Sequence, residues 1–355
     1  MRGAALSLAD AGVRVVSPKV DLAEAAFGAY VTYAGVTRDG ATLVAAFGDG
    51  VVRSMAADIN PRMMRPAPPL GAMTLAATPD LDGRGVLIGT DDGRLVRFAP
   101  EEGMRQLATV SGKWITNVAV HATTGLRAFS AGRDVYLLDG AGMPIAIFAD
   151  HPSTPTGIAF SPAGDCVAVS RYDGVSIWTI GVTGSAKELF WHGSHTAVSW
   201  SPDGRFIVTA MQENEMHCWR MDDGKSMKMS GYPRKIRAVA WTPDGAYVAA
   251  SGADTVTSWC CEGDGPASRA PLEFGYVYEC NVTQVAARPV GRTIAGGYGD
   301  GTVFISEIES SDAVIARPGQ GAAITALAWS PDGSLLVAGD AAGALATIRV
   351  PEPIG

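Results

Sequence analysis

The sequence predicts an all-β fold, a single closed ring of four-stranded antiparallel sheets, with eight favoured and seven the alternative. Three observations carry this: one segment recurs along the chain, its turn glycines are evenly spaced, and a second turn recurs inside each copy. The clearest copies are Ala238-Val239-Ala240-Trp241-Thr242-Pro243-Asp244-Gly245 and Ala326-Leu327-Ala328-Trp329-Ser330-Pro331-Asp332-Gly333. Ala197–Gly204 and Gly157–Gly164 match them position by position. In each, an alternating apolar run, a Pro-x-Gly turn, a second β-rich run, a tight turn and a third run follow in order, which describes an antiparallel meander.

The turn glycines of the whole series are Gly40, Gly83, Gly125, Gly164, Gly204, Gly245, Gly291 and Gly333. Their successive spacings are 43, 42, 39, 40, 41, 46 and 42, a period expected of a four-stranded β-propeller blade. The second turn recurs as Asp49-Gly50, Asp92-Gly93, Asp173-Gly174 and Asp300-Gly301, with Asp134, Asn214, Asp254 and Gly343 in weaker copies. Asp-Gly supplies the positive φ angles of a two-residue hairpin. The repeats span approximately 29–58, 71–99, 113–139, 154–180, 194–221, 235–261, 281–308 and 323–350, and one domain covers 1–355. The last unit ends at a third strand, Leu345–Val350, and the N-terminal run Val13–Ser17 is expected to pair as its fourth, sealing the ring and removing an edge.

These units resemble WD40 repeats. The resemblance rests on the Ser/Thr-Pro-Asp-Gly turns and on Trp178, Trp219 and Trp259 at the place of the closing tryptophan. It covers residues 29 to 350. In that family a His, a Ser/Thr, the turn Asp and the Trp form a hydrogen-bonded support within each blade. None of the eight tryptophans here is followed by Asp, and the Gly-His pair is missing, with Trp191-His192-Gly193-Ser194-His195 its nearest approach. Aliphatic packing is therefore expected to hold most units in place of that network.

Composition agrees and excludes several functions. With 43 Gly and 21 Pro in 355 residues, turns come too often for long helices. A chain that is 47% hydrophobic and 18% charged buries a large core, so it is not a disordered one. The net charge of −8 leaves no basic footprint for nucleic acid, and Arg234-Lys235-Ile236-Arg237 is too short to hold a phosphate backbone. No apolar stretch approaches the ~20 residues of a membrane helix, and Asp10 breaks the only run resembling a leader. Five cysteines, an odd number including the vicinal Cys260-Cys261, read as free thiols in a reducing, cytoplasmic setting.

Enzymatic signatures are thin. The metalloprotease, P-loop, nucleophile-elbow and dinucleotide motifs are all missing from the sequence. Gly296–Gly301 is Gly-rich but sits at a hairpin turn, with no helix following to receive a phosphate. His192, His195, His217-Cys218 and Cys260-Cys261 fall in neighbouring units without metal-ligand spacing. Asp222-Asp223, Glu101-Glu102 and Asp91-Asp92 read as solvated turn residues. No catalytic residue, metal ligand or cofactor is assigned.

Functional weight in such a fold falls on loops displayed by a rigid scaffold. The loops leading into inner strands and the turns between second and third strands share one face, here called the top. Its candidate partner-binding residues are Tyr30, Trp114, Arg133, Tyr172, Trp191, His195, Glu213, Arg237, Tyr278, Glu279 and Tyr298. Tyr, Trp and Arg are the types enriched at binding hot spots. Met63-Met64, inside the Pro-rich loop Asn60–Pro69, forms a second candidate contact. A register of threonines marks the inner-strand starts: Thr32, Thr116, Thr156, Thr196, Thr283 and Thr325, with Met73 and Arg237 completing the series. These hydroxyls are expected to line the channel mouth, bonding between adjacent units or facing a small ligand.

The sequence thus predicts a non-catalytic interaction scaffold whose top face binds a protein or peptide, as a monomer or one subunit of a hetero-complex. The alternative is a propeller enzyme, or a small-molecule or metal binder, acting at the channel mouth.

Overall fold

The computed structural model describes residues 14–15 and 20–350, except 268, 278 and 311. Among the described residues the elements are strands, with one 3-10 turn at Pro61–Met63. Each repeat unit meanders outward from the axis, as Val31–Val36, Thr42–Phe47, Val52–Ala56 and Arg65–Pro66 do in unit one. The ring closes where the Thr325 hydroxyl of unit eight donates to the Val31 carbonyl of unit one at 2.7 Å.

The number of sheets corrects the sequence reading. The described strands form seven hydrogen-bonded sheets, the alternative number, and not eight. Counting a blade as one continuous sheet, the propeller has seven. The cause is local: units four and five contribute to one six-stranded sheet. Its strand Lys187–Trp200 runs unbroken from the outer edge of unit four into the innermost position of unit five. Tyr172 pairs with Ser194 on one side of this strand and His195 with Met211 on the other.

The closing strand is also corrected. The last sheet is completed by Asp21–Ala26, antiparallel to Ala344–Arg349, and not by the run Val13–Ser17. Of that run, Arg14–Val15 pairs in parallel with Asp312–Ala313 at the outer edge of the unit-seven sheet, and Val13, Val16 and Ser17 lie outside the described residues. An arginine locks the true closure from within. Arg317, 1% exposed, donates to Glu24 of the closing strand at 2.6 Å and to Asp340 of unit eight at 2.9 Å.

The core lies between sheet faces. Each apolar cluster is shared by consecutive units: Val44, Val52, Val86 and Phe98 join units one and two, and Val337, Leu345, Val31 and Phe47 join unit eight to unit one. The second strand of each unit makes this possible, because both its faces are covered, as along Val86–Thr90, Phe206–Met211 and Leu335–Asp340, which read as nearly continuous apolar runs. Space is also tight where one unit's second strand meets the next unit's inner strand. A Cβ on Gly339 would stand 2.4 Å from Val31 Cγ1, and one on Gly297 would stand 2.6 Å from Ile324 Cγ2. Glycine there lets the inner strand of the next unit pass flush against its neighbour.

The Ser/Thr-Pro-Asp-Gly turns hold themselves together. In unit five Ser201 Oγ donates to Asp203 at 2.6 Å and accepts from the Phe206 amide at 2.9 Å, while Asp203 also accepts from the Arg205 amide. Thr242 with Asp244 and Thr37 with Asp39 repeat the pattern. These turns lie on the bottom face, opposite the candidate residues.

Candidate interaction face

The top face is built on turns whose acidic residues are engaged with backbone amides. Asp49 accepts from the Val51 amide, Asp91 from Met73, Asp134 from Asp150, Asp173 from Gly193, and Glu213 from Ser194. Each carboxylate satisfies a donor that a tight turn would otherwise orphan. These bonds fix the loops that display the remaining side chains.

Among the predicted partner-binding residues, Tyr30, Trp114, Arg133, Tyr172, Glu213, Arg237 and Glu279 are exposed, with Trp114 at 66%. Trp191 is half-buried. It stacks on His217 with ring centroids 3.9 Å apart, and its carbonyl meets His195 Nε2 at 2.9 Å. His195 and Tyr298 are fully buried, so they act as supports and present no surface. His195 Nδ1 meets Thr209 Oγ1 at 2.8 Å, and burial pushes its pKa down. Tyr298 donates its hydroxyl to the Gly275 carbonyl, and burial raises its pKa. Tyr278 lies outside the described residues.

The threonine register is engaged in ring closure. Thr156 donates to the His195 carbonyl of the next unit, and Thr283 to Ile324 of the next at 2.7 Å. Thr32 and Thr196 donate to carbonyls of their own units, Ala46 and Ala210. Thr116 is exposed and accepts from Asn117, whose amide also reaches Ser130 and the Pro155 carbonyl of unit four. Three of the six hydroxyls, those of Thr156, Thr283 and Thr325, bond across to the inner strand of the next unit.

A reduced form of such a supporting network is present in units four and six. In unit four Trp178 Nε1 donates to His151 Nε2 at 3.0 Å, so the ring proton sits on Nδ1, which donates to the Arg133 carbonyl at 2.8 Å. In unit six Tyr232 takes the imidazole's place, accepting from Trp259 Nε1 at 2.8 Å and from Thr257 at 2.9 Å. Sequence reading missed both residues, because His151 follows Asp150 and not Gly, and because Tyr232 is not an imidazole.

Three cations beyond the predicted set share this face: Lys113, Arg234 and Lys235, all exposed. The Lys113 side chain lies over Gly132, whose Cβ would stand 3.1 Å from its Cδ, and so beside Arg133. The loop of Arg234, Lys235 and Arg237 is pinned beneath by buried Ile236, by the Arg234 amide on Gly252, and by Ser251 Oγ on the Arg237 amide.

Among the described residues no three His, Cys, Asp or Glu side chains converge as metal ligands. His217 is buried with both ring nitrogens unpartnered, between Trp191 and Trp219. Burial, with repulsion from His195 and Lys228, lowers its pKa to about 3. The methionine loop is divided: Met64 is buried, whereas Met63 is exposed and lines a groove of about 560 Å3 with Ile59, Pro66 and Phe98. This groove opens beside the bottom turns Ala41-Thr42 and Pro100–Gly103, away from the top residues.

Comparison with known proteins agrees with this architecture. Residues 157–244 match the model for the anaphase-promoting complex subunit 4 WD40 domain, and residues 314–350 match the WD domain, G-beta repeat. No curated protein is detectably similar in sequence. Among solved structures, the computationally designed Ika8 protein superposes with a TM-score of 0.74 at 18% identity, over 92% of this chain and 98% of that one. The C-terminal WD40 domain of Sif2 superposes with a TM-score of 0.74 at 14% identity, over 93% of this chain and 98% of that one. At such identities the likeness concerns fold alone.

Proposed function

We propose, given that the chain belongs to the WD40-repeat β-propeller family, that its top face is a docking platform for a protein or peptide segment and performs no chemistry. Propellers of this family generally serve as protein-interaction scaffolds. The observation that carries the reading here is the pairing of exposed anchors with fixed loops. Trp114, Tyr172, Arg133 and Arg237 project from turns whose backbones are held by buried side chains. Anchors displayed this way lose little entropy on binding.

The partner is a protein segment and not nucleic acid, since the chain carries a net −8. No helix among the described residues is long and apolar enough to cross a membrane. The setting is the cytoplasm, a reading supported by five free cysteines. The chain acts alone or as one subunit of a hetero-complex.

Site-specific photo-crosslinking in the source cell tests the platform. A photoreactive residue at Trp114 or at Arg237 is expected to capture one protein in common. The same residue at Arg84 or Lys225, on bottom turns, is expected to leave that protein uncaptured. Equal capture from both faces, or none from the top, would overturn the reading.

A further inference from the structure

We infer that the segment received by the top face is acidic, with an apolar side chain set among its carboxylates. This deepens the docking reading above and rests on it.

The inference starts from an imbalance in how charges on this face are used. Its turn acids face inward onto amides, as described for Asp49, Asp91, Asp134, Asp173 and Glu213. Its cations are not used in this way. No carboxylate among the described residues lies within ion-pair distance of Lys113, Arg234, Lys235 or Arg237. Arg133 has only Asp150 at 4.0 Å, and that carboxyl is 93% exposed. Several arginines elsewhere in the molecule are drawn into ion pairs, among them Arg97, Arg127, Arg171, Arg220, Arg292 and Arg317.

The free cations fall in two groups, three units apart round the ring. On unit three, Lys113 lies beside Arg133 and precedes Trp114, which is 66% exposed. On unit six, Arg234, Lys235 and Arg237 stand on one pinned loop, with Arg237 at the register position where six other units place threonine. Asp254 of the same unit and Glu213 and Glu279 of the neighbouring loops are exposed acids, and Glu213 is held by the Ser194 amide. A tryptophan next to a pair of cations suits an apolar residue followed or preceded by carboxylates, and the second group holds the continuing chain. Charge complementarity of this kind raises the encounter rate and rejects basic competitors.

The test uses the full chain and three fluorescent peptides of equal length: one alternating Glu and Asp around a central Leu-Phe, its Gln/Asn counterpart, and its Lys/Arg counterpart. The acidic peptide is expected to bind, to weaken as salt rises past about 0.15 M, and to outcompete the neutral peptide by about tenfold. Lys113→Glu with Arg133→Glu, and separately Arg234→Glu with Arg237→Glu, should each weaken it by about tenfold, with unchanged circular dichroism. Lys225→Glu, on the opposite face, should leave it unchanged. Equal binding of the neutral peptide, insensitivity to both charge reversals, or no binding by any peptide would overturn the inference. Competition against the crosslinked partner separates the two readings. A top-face crosslink that acidic peptide, added before irradiation, fails to prevent leaves the platform standing and removes the acidic assignment, whereas no crosslink removes the platform itself.

Discussion

The first turn of unit five and the first turn of unit two occupy the same place in the repeat and solve it in different ways. In unit five the turn is self-sufficient: Ser201, Asp203 and the amides of Arg205 and Phe206 satisfy one another. In unit two the serine position is Asp80, which is fully buried. Its carboxylate is gripped by Arg127 of unit three at 2.7 and 2.9 Å and approached by Arg97 at 3.1 Å, while Arg38 of unit one donates to its carbonyl. The serine turn satisfies itself, whereas at Asp80 the carboxylate ties unit two to unit three and the backbone carbonyl ties it to unit one. Unit seven offers a third solution, with Arg288 over Trp329 and bonded to the Gly333 carbonyl of unit eight. A degenerate repeat is thus repaired by its neighbours.

Breaking the unit-two joint should have the largest effect. Asp80→Ala leaves Arg127 buried with no carboxylate, while Arg97 keeps Asp82 and Glu102. A stranded buried charge costs about 3–5 kcal/mol, which denaturant unfolding would read as a lowered midpoint. If Asp80→Ala cost no more than loss of a surface pair, the hub would be only one more turn.

The supporting networks sharpen the comparison through pH. His151, His195 and His217 are buried, and burial lowers the pKa of each, for His217 to about 3. The unfolded chain takes up protons near the ordinary histidine pKa while the folded chain does not, so stability is greatest above about pH 6.5 and falls as pH drops below it. Each such histidine contributes a slope of about 1 kcal/mol per pH unit in that window. His217→Phe should flatten the fall between about pH 6.5 and 5 and leave stability at neutral pH equal or higher, since it removes two unpartnered polar atoms. An unchanged slope would show that His217 finds a proton partner when folded.

The strands of all the units were legible because apolar alternation and turn chemistry recur on a fixed period. What escaped depends on contacts far apart in sequence. Asp21-Leu22-Ala23-Glu24-Ala25-Ala26 is made of helix-favouring residues, so it hides its role as the closing strand. Pairing with Ala344–Arg349 overrides that preference, as β-propensity yields to context. The joined sheet of units four and five was hidden because the connection His192–Ser194 contains one glycine and no proline to mark where strands part. The ion pair of Asp80 with Arg127 spans 47 residues and is defined only once units two and three pack. On the top face the anchors Trp114, Arg133 and Arg237 were legible by residue type and loop position. The burial of His195 and Tyr298 was not, since a strand-end position does not reveal which way a side chain turns.

The smallest effect belongs to the self-sufficient turn. Ser201→Ala removes one hydroxyl that donates to Asp203 and accepts from the Phe206 amide. Asp203 keeps the Arg205 amide and guanidinium, and the ladder bonds of the Ser201 amide to the Phe206 carbonyl and the Gly204 amide to the Ser201 carbonyl remain. One buried amide is left unpaired, a cost of about 1 kcal/mol, with no neighbouring unit disturbed. A double-mutant cycle with Asp80→Ala should then be additive, because the two turns share no partner and lie three units apart. Coupling well above about 0.5 kcal/mol would mean that strain at one joint is transmitted round the ring. In that case the turns, self-sufficient or not, would have to be treated as a single closed structure.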